Sequence, residues 1–561
     1  MNCLCSIHEP PIENFIPKMN LCLLACLAFS INDQKLFEQY IDHEAKKEKY
    51  NQTYYVNDFD LKKSNNLVFL VGNQESFNQE FMTSGTAFNI AKDLKAILFG
   101  IEHRYFGESK PTESLSTEEL QYLTVEQTIE DVHDFIAQMR NQYCKDLNKC
   151  QSLTVGQGYG GSIAAWVKVK YGEQLSIISS WASASPLLAK NEFSEFDSYE
   201  AQFFKNIDSQ CYTNVKKVID AAHNLLFSDV ETHTKEMMMQ IYGIRPEMHF
   251  TFYTDFMYML SEAISQGIRN RKFNSTFYDL CDTLSKADFS DRYNTSILLG
   301  PYTDQFVGHA SFLKLWPIIS KSQMTEDRAR FWMKCNQLDS FPISSGALRS
   351  TYVNSTFWNY VCQSLFEKNL PDTTEFNNEY GGKDIQAKNS FFTSDAYDAY
   401  TELSCIKDDS SIGRRGLVII NAGYGDEFAD KQDNEPEGIT FARQEVINTI
   451  HNWFIPTPPT TAPTTAPTSE PTSEPTTAPT TKPTTAPTSQ PTTSFSPSIA
   501  PQPTDNQNQG LPVYGKAIIG ALSGLIVILI IVIVFLIIKR RKPEQVLDST
   551  PLNSNLVNSM I

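Results

Sequence analysis

The stretch from Ser152 to Gly172, S-L-T-V-G-Q-G-Y-G-G-S-I-A-A-W-V-K-V-K-Y-G, constrains this chain more than any other. A short apolar run (Leu153, Val155) meets a cluster of glycines, and a helix-like segment with Ala164, Ala165 and Trp166 follows. A strand turning sharply into a helix through glycines is the layout that lifts the serine of G-x-S-x-G above a sheet. Here the middle position, between Gly156 and Gly160, is Gly158. The frame of a nucleophile turn is present and its nucleophile is not. The same glycines (Gly156, Gly158, Gly161) also satisfy the dinucleotide fingerprint G-x-G-x-x-G. That alternative fails on context, because no acidic residue ends the next apolar run.

Around this turn, apolar runs alternate with amphipathic segments. Strands are predicted at Leu67–Val71, Ala96–Ile101, Leu175–Trp181 and Leu417–Ile420, and residues 35–62 read as polar and mixed. A helix is expected through Ala87, Ile90, Ala91 and Leu94. Another follows Thr124 as N-cap, with Val125, Ile129, Val132, Phe135, Ile136 and Met139 at helical spacing. A last one is expected from Thr440 to Phe454. Such alternation predicts a parallel, doubly wound sheet. From about Leu188 to Leu370 the pattern turns helical, as in Val215–Leu226 and Phe252–Ile268. The expected fold is therefore α/β: an α/β-hydrolase sheet in two parts, 31–189 and 371–455, interrupted by a helical insertion over 190–370.

The ends of the chain carry different signals. Lys18, the apolar run Leu21–Phe29 and the small-residue site Ala28-Phe29-Ser30 predict a signal peptide over 1–30, with Met19 as a second candidate start. Residues 456–512 repeat Pro, Thr and Ser without bulky apolar side chains, which predicts a disordered, extended stalk. Residues 517–538 are uncharged and overwhelmingly apolar. At ~1.5 Å per residue they reach ~33 Å, enough to cross a bilayer. Lys539, Arg540, Arg541 and Lys542 follow at once, so the tail 539–561 is expected in the cytoplasm and the bulk of the chain outside, in the plasma membrane or an endolysosomal membrane. Gly520 and Gly524 share the spacing of a helix-dimerisation face, which makes a homodimer one expectation.

A formal net charge of −18 argues against nucleic acid as a partner. Beyond four cysteines near the N-terminus, seven lie in the exterior segment: Cys144, Cys150, Cys211, Cys281, Cys335, Cys362 and Cys405. Disulfides are the default there, most of them in or beside the helical insertion, and an odd count leaves one thiol over. Cys144 and Cys150 are spaced to close a small loop; the other pairings are not readable. No C-x-x-C or H-x-x-x-H spacing suggests a metal. Sequons at Asn51, Asn274, Asn294 and Asn354 fit a glycoprotein.

Four motifs carry a family resemblance: E-H-R-Y-F-G-E-S-x-P from Glu102, Y-L-T-x-E-Q from Tyr122, G-x-x-Y-G-G-x-x-A-A-W-x-x-x-K-Y from Gly156, and A-S-A-S-P from Ala182. Together they resemble the lysosomal Pro-X carboxypeptidase family of serine exopeptidases. That family also includes a dipeptidyl peptidase cleaving after penultimate proline and a thymus-specific serine protease. The resemblance spans Phe37 to Phe454 and implies a hydrolase sheet, a helical cap, no cofactor and proline-directed exopeptidase chemistry.

Such chemistry needs a serine, a histidine, an acid and an oxyanion hole. The family's G-G-S-Y-G-G is Gly156-Gln157-Gly158-Tyr159-Gly160-Gly161 here, with Tyr159 as the remnant of the oxyanion hole. Ser162, one turn into the helix, is poorly placed to substitute. Asp426 is the retained acid candidate, where Ala422–Phe428 aligns with N-G-x-x-D-P-W. No histidine follows it except His451, which falls on the last helix, and His103 in E-H-R reads as structural. The early loop Gly72-Asn73-Gln74-Glu75 brings a carboxylate where the family resembles G-x-E-G. Losing serine or histidine from a triad costs on the order of 10⁶ in turnover. The expectation is a pseudoenzyme that binds proline-containing peptides or a protein ligand. The alternative is an active X-Pro carboxypeptidase or dipeptidyl peptidase with a non-standard site.

Overall fold

The computed structural model describes residues 34–244, 253–269, 275–307 and 326–455. Eight strands form one sheet: β1 (Lys35–Tyr40), β2 (Lys49–Asn57), β3 (Asn66–Val71), β4 (Ile97–Ile101), β5 (Gln151–Gln157), β6 (Ile177–Ser183), β7 (Ser390–Asp395) and β8 (Arg415–Ile419). Their order is β1-β2-β4-β3-β5-β6-β7-β8. β2 runs antiparallel to both its neighbours, and every other pair is parallel. This is an α/β-hydrolase-like fold with a mixed sheet, not the wholly parallel sheet that strand–helix alternation suggested.

The sheet is buried on both faces, and β3 shows how. Leu67, Phe69 and Val71 join the apolar cluster that contains Val125, Ile129, Val132, Phe135, Ile136 and Met139 of the helix Val125–Tyr143. Val68 and Leu70 join Ile90, Val446 and Ile450, from the helices Thr86–Asp93 and Glu437–Phe454, on the other face. Period-two side chains on the strand thus meet helical stripes above and below. Thr124 caps its helix as expected, its hydroxyl accepting the Gln127 N–H at 3.2 Å.

Three strands escaped the sequence. β1 and β2 alternate exposed and buried positions over part of their length, so residues 35–62 never read as a buried run. β7 is buried throughout, yet four of its six residues are polar. Its hydroxyls find partners instead of water: Ser390 accepts from Ser180 Oγ (2.8 Å), and Thr393 accepts from Trp181 Nε1 (3.0 Å). Helical segments run on to Tyr380, past the expected end of the cap at 370, before the chain returns to the sheet.

The E-H-R motif builds scaffold. Buried Arg104 holds Asp131 through Nε (2.6 Å) and Nη2 (2.7 Å), and donates to the carbonyls of Tyr40, Ile41 and Tyr122. His43 Nε2 meets the same carboxylate at 2.8 Å, which ties the β1–β2 segment to the helix behind it. His103 is buried against the Arg104 carbonyl (2.7 Å), and burial pushes its imidazole down to about 4. It is neutral at physiological pH.

Disulfides join Cys144 to Cys150, Cys211 to Cys281, and Cys335 to Cys362; Cys405 is the odd thiol, and it is buried. Asn51 and Asn294 are exposed, whereas half-buried Asn354 caps the helix Ser355–Phe366 by accepting the Phe357 N–H. The segment 1–30, Asn274, the stalk 456–512, the apolar segment 517–538 and the tail 539–561 lie outside the described residues. No helix among the described residues is long and apolar enough to cross a membrane.

Candidate functional site

β5 ends in the turn that organises the site. Gly158 has φ +57° and ψ −132° and precedes the helix Tyr159–Tyr171. An L-residue adopts that conformation only under strain, whereas glycine takes it at little cost. Gly160 is needed for a different reason: a Cβ there would lie 2.5 Å from the Val71 carbonyl oxygen and 2.8 Å from that of Gly72. The elbow backbone is therefore intact. Tyr159, the first helical residue, contributes one of the N–H groups that no helical carbonyl reaches. Ser162 is fully buried and donates to the Pro186 carbonyl at 2.7 Å, which points its hydroxyl away from the turn's mouth.

The space beside Gly158 is occupied by Tyr424, from the loop after β8. A Cβ built on Gly158 would overlap the Tyr424 hydroxyl oxygen, and would stand 3.1 Å and 3.3 Å from the amide nitrogen and oxygen of Asn73. Asn73 Nδ2 donates to that hydroxyl at 3.0 Å. Burial holds the Tyr424 phenol far above its ordinary pKa, so it stays protonated and is no nucleophile. The cap secures the arrangement from above. Arg269, the last residue of the helix Tyr253–Arg269, accepts the Tyr424 N–H through its carbonyl (3.2 Å). Its guanidinium stacks 4.9 Å from the Tyr424 ring centre and 5.3 Å from that of Tyr400, and Nε pairs with Asp398 Oδ1 at 3.2 Å.

These groups form the floor of a cavity of about 590 Å³ between the sheet and the cap. Asn73 and Glu75 of the early loop line it, as do Tyr258, Phe331, Lys334 and Phe341 from the cap. Lys334 donates to the Ser340 carbonyl (3.1 Å) and the Tyr400 hydroxyl (3.0 Å) and has no carboxylate partner among the described residues. No group of three or more metal-ligating side chains occurs among the described residues.

The sequence profile of the serine carboxypeptidase S28 family matches residues 39–446. The chain belongs to that family. Among its curated relatives, the Arabidopsis thaliana protein named "Probable serine protease EDA2" is 25% identical over 403 residues, which is 65% of this chain and 76% of that one. The Homo sapiens lysosomal Pro-X carboxypeptidase is 31% identical over 157 residues, 27% of this chain and 31% of its own. One solved structure, from Mycobacterium tuberculosis, overlaps 75% of this chain and 98% of its own at 14% identity, with a TM-score of 0.30. That score is too low to add to the topology.

In hydrolases of this topology, nucleophile, acid and histidine come in that order along the chain. Among the loops that meet at the cavity, those after β5, β7 and β8 present Gly158, Asp398 and Tyr424 in the same order. The expected acid, Asp426, does not line the cavity; its carboxylate closes a local turn by accepting the Gly423 N–H at 2.6 Å. Asp398 is the carboxylate that faces the cavity, and it is buried. The difference has a simple cause. β7 does not read as a strand in the sequence, so the sequence points to an acid in the loop after β8. Asp395-Ala396-Tyr397-Asp398-Ala399-Tyr400, just downstream of two buried phenylalanines, was the available signal. Nothing in the sequence pointed to Arg269.

No histidine lines the cavity among the described residues; His8, His249 and His309 lie outside them. His451 stands on the last helix, 3.7 Å from Asp93. Asn73, Gln74 and Glu75 do reach the cavity, with Glu75 exposed at its edge.

Proposed function

We propose that this S28-family protein is a non-hydrolytic member that uses the inherited cavity to bind proline-containing peptides or an extended segment of a protein. The observation that carries this reading is the Tyr424 hydroxyl lying where a side chain at position 158 would project. A serine and that tyrosine cannot share the space. Asp398, rather than Asp426, is then the descendant of the triad acid, and Arg269 has taken the carboxylate that would orient a histidine. What is left for function is recognition. The aromatic walls from Tyr258, Phe331 and Phe341 suit proline rings, which favour preformed aromatic grooves. Tyr159 is the surviving member of the oxyanion hole, able to offer its N–H to a ligand carbonyl.

On this reading residues 1–30 direct the chain into the secretory route, 456–512 form a stalk, and 517–538 anchor the ectodomain at the plasma membrane or an endolysosomal membrane. Two experiments test it. Purified ectodomain is incubated with a fluorophosphonate probe and fluorogenic X-Pro substrates, while calorimetry follows proline-containing peptides. Heat of binding without labelling or turnover is expected; labelling of any serine together with turnover ends the reading. Separately, an epitope on the tail 539–561 should resist protease in sealed cells. Its digestion from outside would reverse the topology.

A further inference from the structure

Two carboxyl groups lie beneath the loop that carries Tyr424, and neither takes part in the arrangement described above. Asp395 ends β7 and Glu427 closes the loop; both are fully buried. Asp395 Oδ2 accepts the Gly425 N–H at 2.8 Å, and Glu427 Oε1 accepts from Thr393 Oγ1 at 2.5 Å. Asp395 Oδ1 and Glu427 Oε2 are left with no hydrogen-bond donor among the described residues. Burial, and then repulsion from Glu427, holds the Asp395 carboxyl well above the ordinary carboxylate range.

Gly425 on the loop donates to Asp395 and Thr393 on β7 donates to Glu427, so strand and loop are tied at both acids, and a proton held between the two orphaned oxygens would satisfy both. Two negative charges at that depth would repel, and each orphaned oxygen would carry a full desolvation cost. The surrounding charges do not supply an alternative. Arg443 donates to the main-chain carbonyls of Asp426, Glu427 and Ala429 and pairs with Glu435 at 3.1 Å. Arg269 is paired with Asp398. The other titratable neighbours, Asp398, Asp426 and Tyr199, add negative charge or none.

We propose that Asp395 and Glu427 share a single proton that pins the loop bearing Tyr424 against the elbow, so that losing this proton to solvent frees the loop and opens the cavity beside Gly158. The sign follows from linkage. Folded Asp395 keeps a proton that an unfolded aspartate gives up at about pH 4. Pinning is therefore complete below that pH and is lost as pH rises through the raised pKa of Asp395. The inference stands on the loop's geometry and is independent of what the cavity binds.

Hydrogen exchange of the full-length protein, read by mass spectrometry at about pH 5 and about pH 8 and corrected for intrinsic rates, tests it. Protection of residues 421–428 is expected to fall by roughly tenfold or more at the higher pH, while the elbow helix 159–171 keeps its protection. In Glu427→Gln the amide N–H supplies Asp395 Oδ1 in place of the shared proton, so protection should persist at both values; Asp395→Asn should behave alike. Equal protection of 421–428 in the wild-type protein at both pH values overturns the proposal. So does a parallel loss in Glu427→Gln. The wild-type comparison decides alone if a variant does not fold.

Discussion

The turn Gly156–Gly161 and the loop Asn421–Phe428 meet over one cavity, and they have kept opposite things. The turn retains its backbone: a positive φ at Gly158, and at Gly160 a pass close enough that one methyl group would strike β3. The loop follows β8, where a hydrolase of this topology carries its histidine, and presents Tyr424 to the cavity. Glycine packing at the turn is fixed by close backbone contacts with the end of β3 and the segment just after it, and that geometry does not depend on whether a reaction occurs. A catalytic side chain is fixed by its reaction. On the proposed non-hydrolytic reading, its space is open to any residue that packs.

Substitutions that treat the two sites differently sharpen this contrast. Gly160→Ala should be the most damaging, because the new methyl meets backbone rather than a movable side chain. A loss of at least ~3 kcal/mol is expected, seen as failed secretion or a large drop in melting temperature. Unchanged stability would show that the turn is not fixed by its packing. Gly158→Ser should cost roughly 1–3 kcal/mol, since it adds both strain and overlap with Tyr424, and it should leave fluorophosphonate labelling at background. Adding Tyr424→Ala should recover part of that stability without restoring turnover, which stays on the order of 10⁶ below a full triad. Robust hydrolysis by either variant would break the comparison.

Arg269→Ala removes the ion pair with Asp398 and the stacking on two rings. About 1–2 kcal/mol is expected, appearing as faster proteolysis of the helix Tyr253–Arg269 rather than of the sheet. Uniform destabilisation would mean that Arg269 does not join cap to loop. Tyr424→Phe is the mildest test. It deletes only the acceptor for Asn73, at about 0.5–1.5 kcal/mol by thermal denaturation, and a greater loss would assign the hydroxyl a larger role.

How far the sequence could be read follows the same division. Strands buried on both faces announce themselves as apolar runs, and β3, β4 and β5 were legible for that reason. β7 satisfies its burial with hydroxyl–hydroxyl bonds to β6, a solution that exists only once the strands are paired. Without it, the sequence points to Asp426 and leaves the cavity-facing Asp398 unread. The absence at Gly158 was plain from one residue, but its replacement by Tyr424 depends on a loop far along the chain. Cys144–Cys150 closes a loop short enough to notice, while Cys211–Cys281 requires two cap helices to be docked first. Local features were readable, and features made by assembly were not.

The overlap between position 158 and the Tyr424 hydroxyl also makes the two positions mutually dependent. A side chain at 158 meets a filled site while Tyr424 is present, so its cost is set by a residue far along the chain. Order therefore matters in any substitution path between the two: removing Tyr424 first lowers the cost of a serine at 158, and introducing the serine first meets that cost in full.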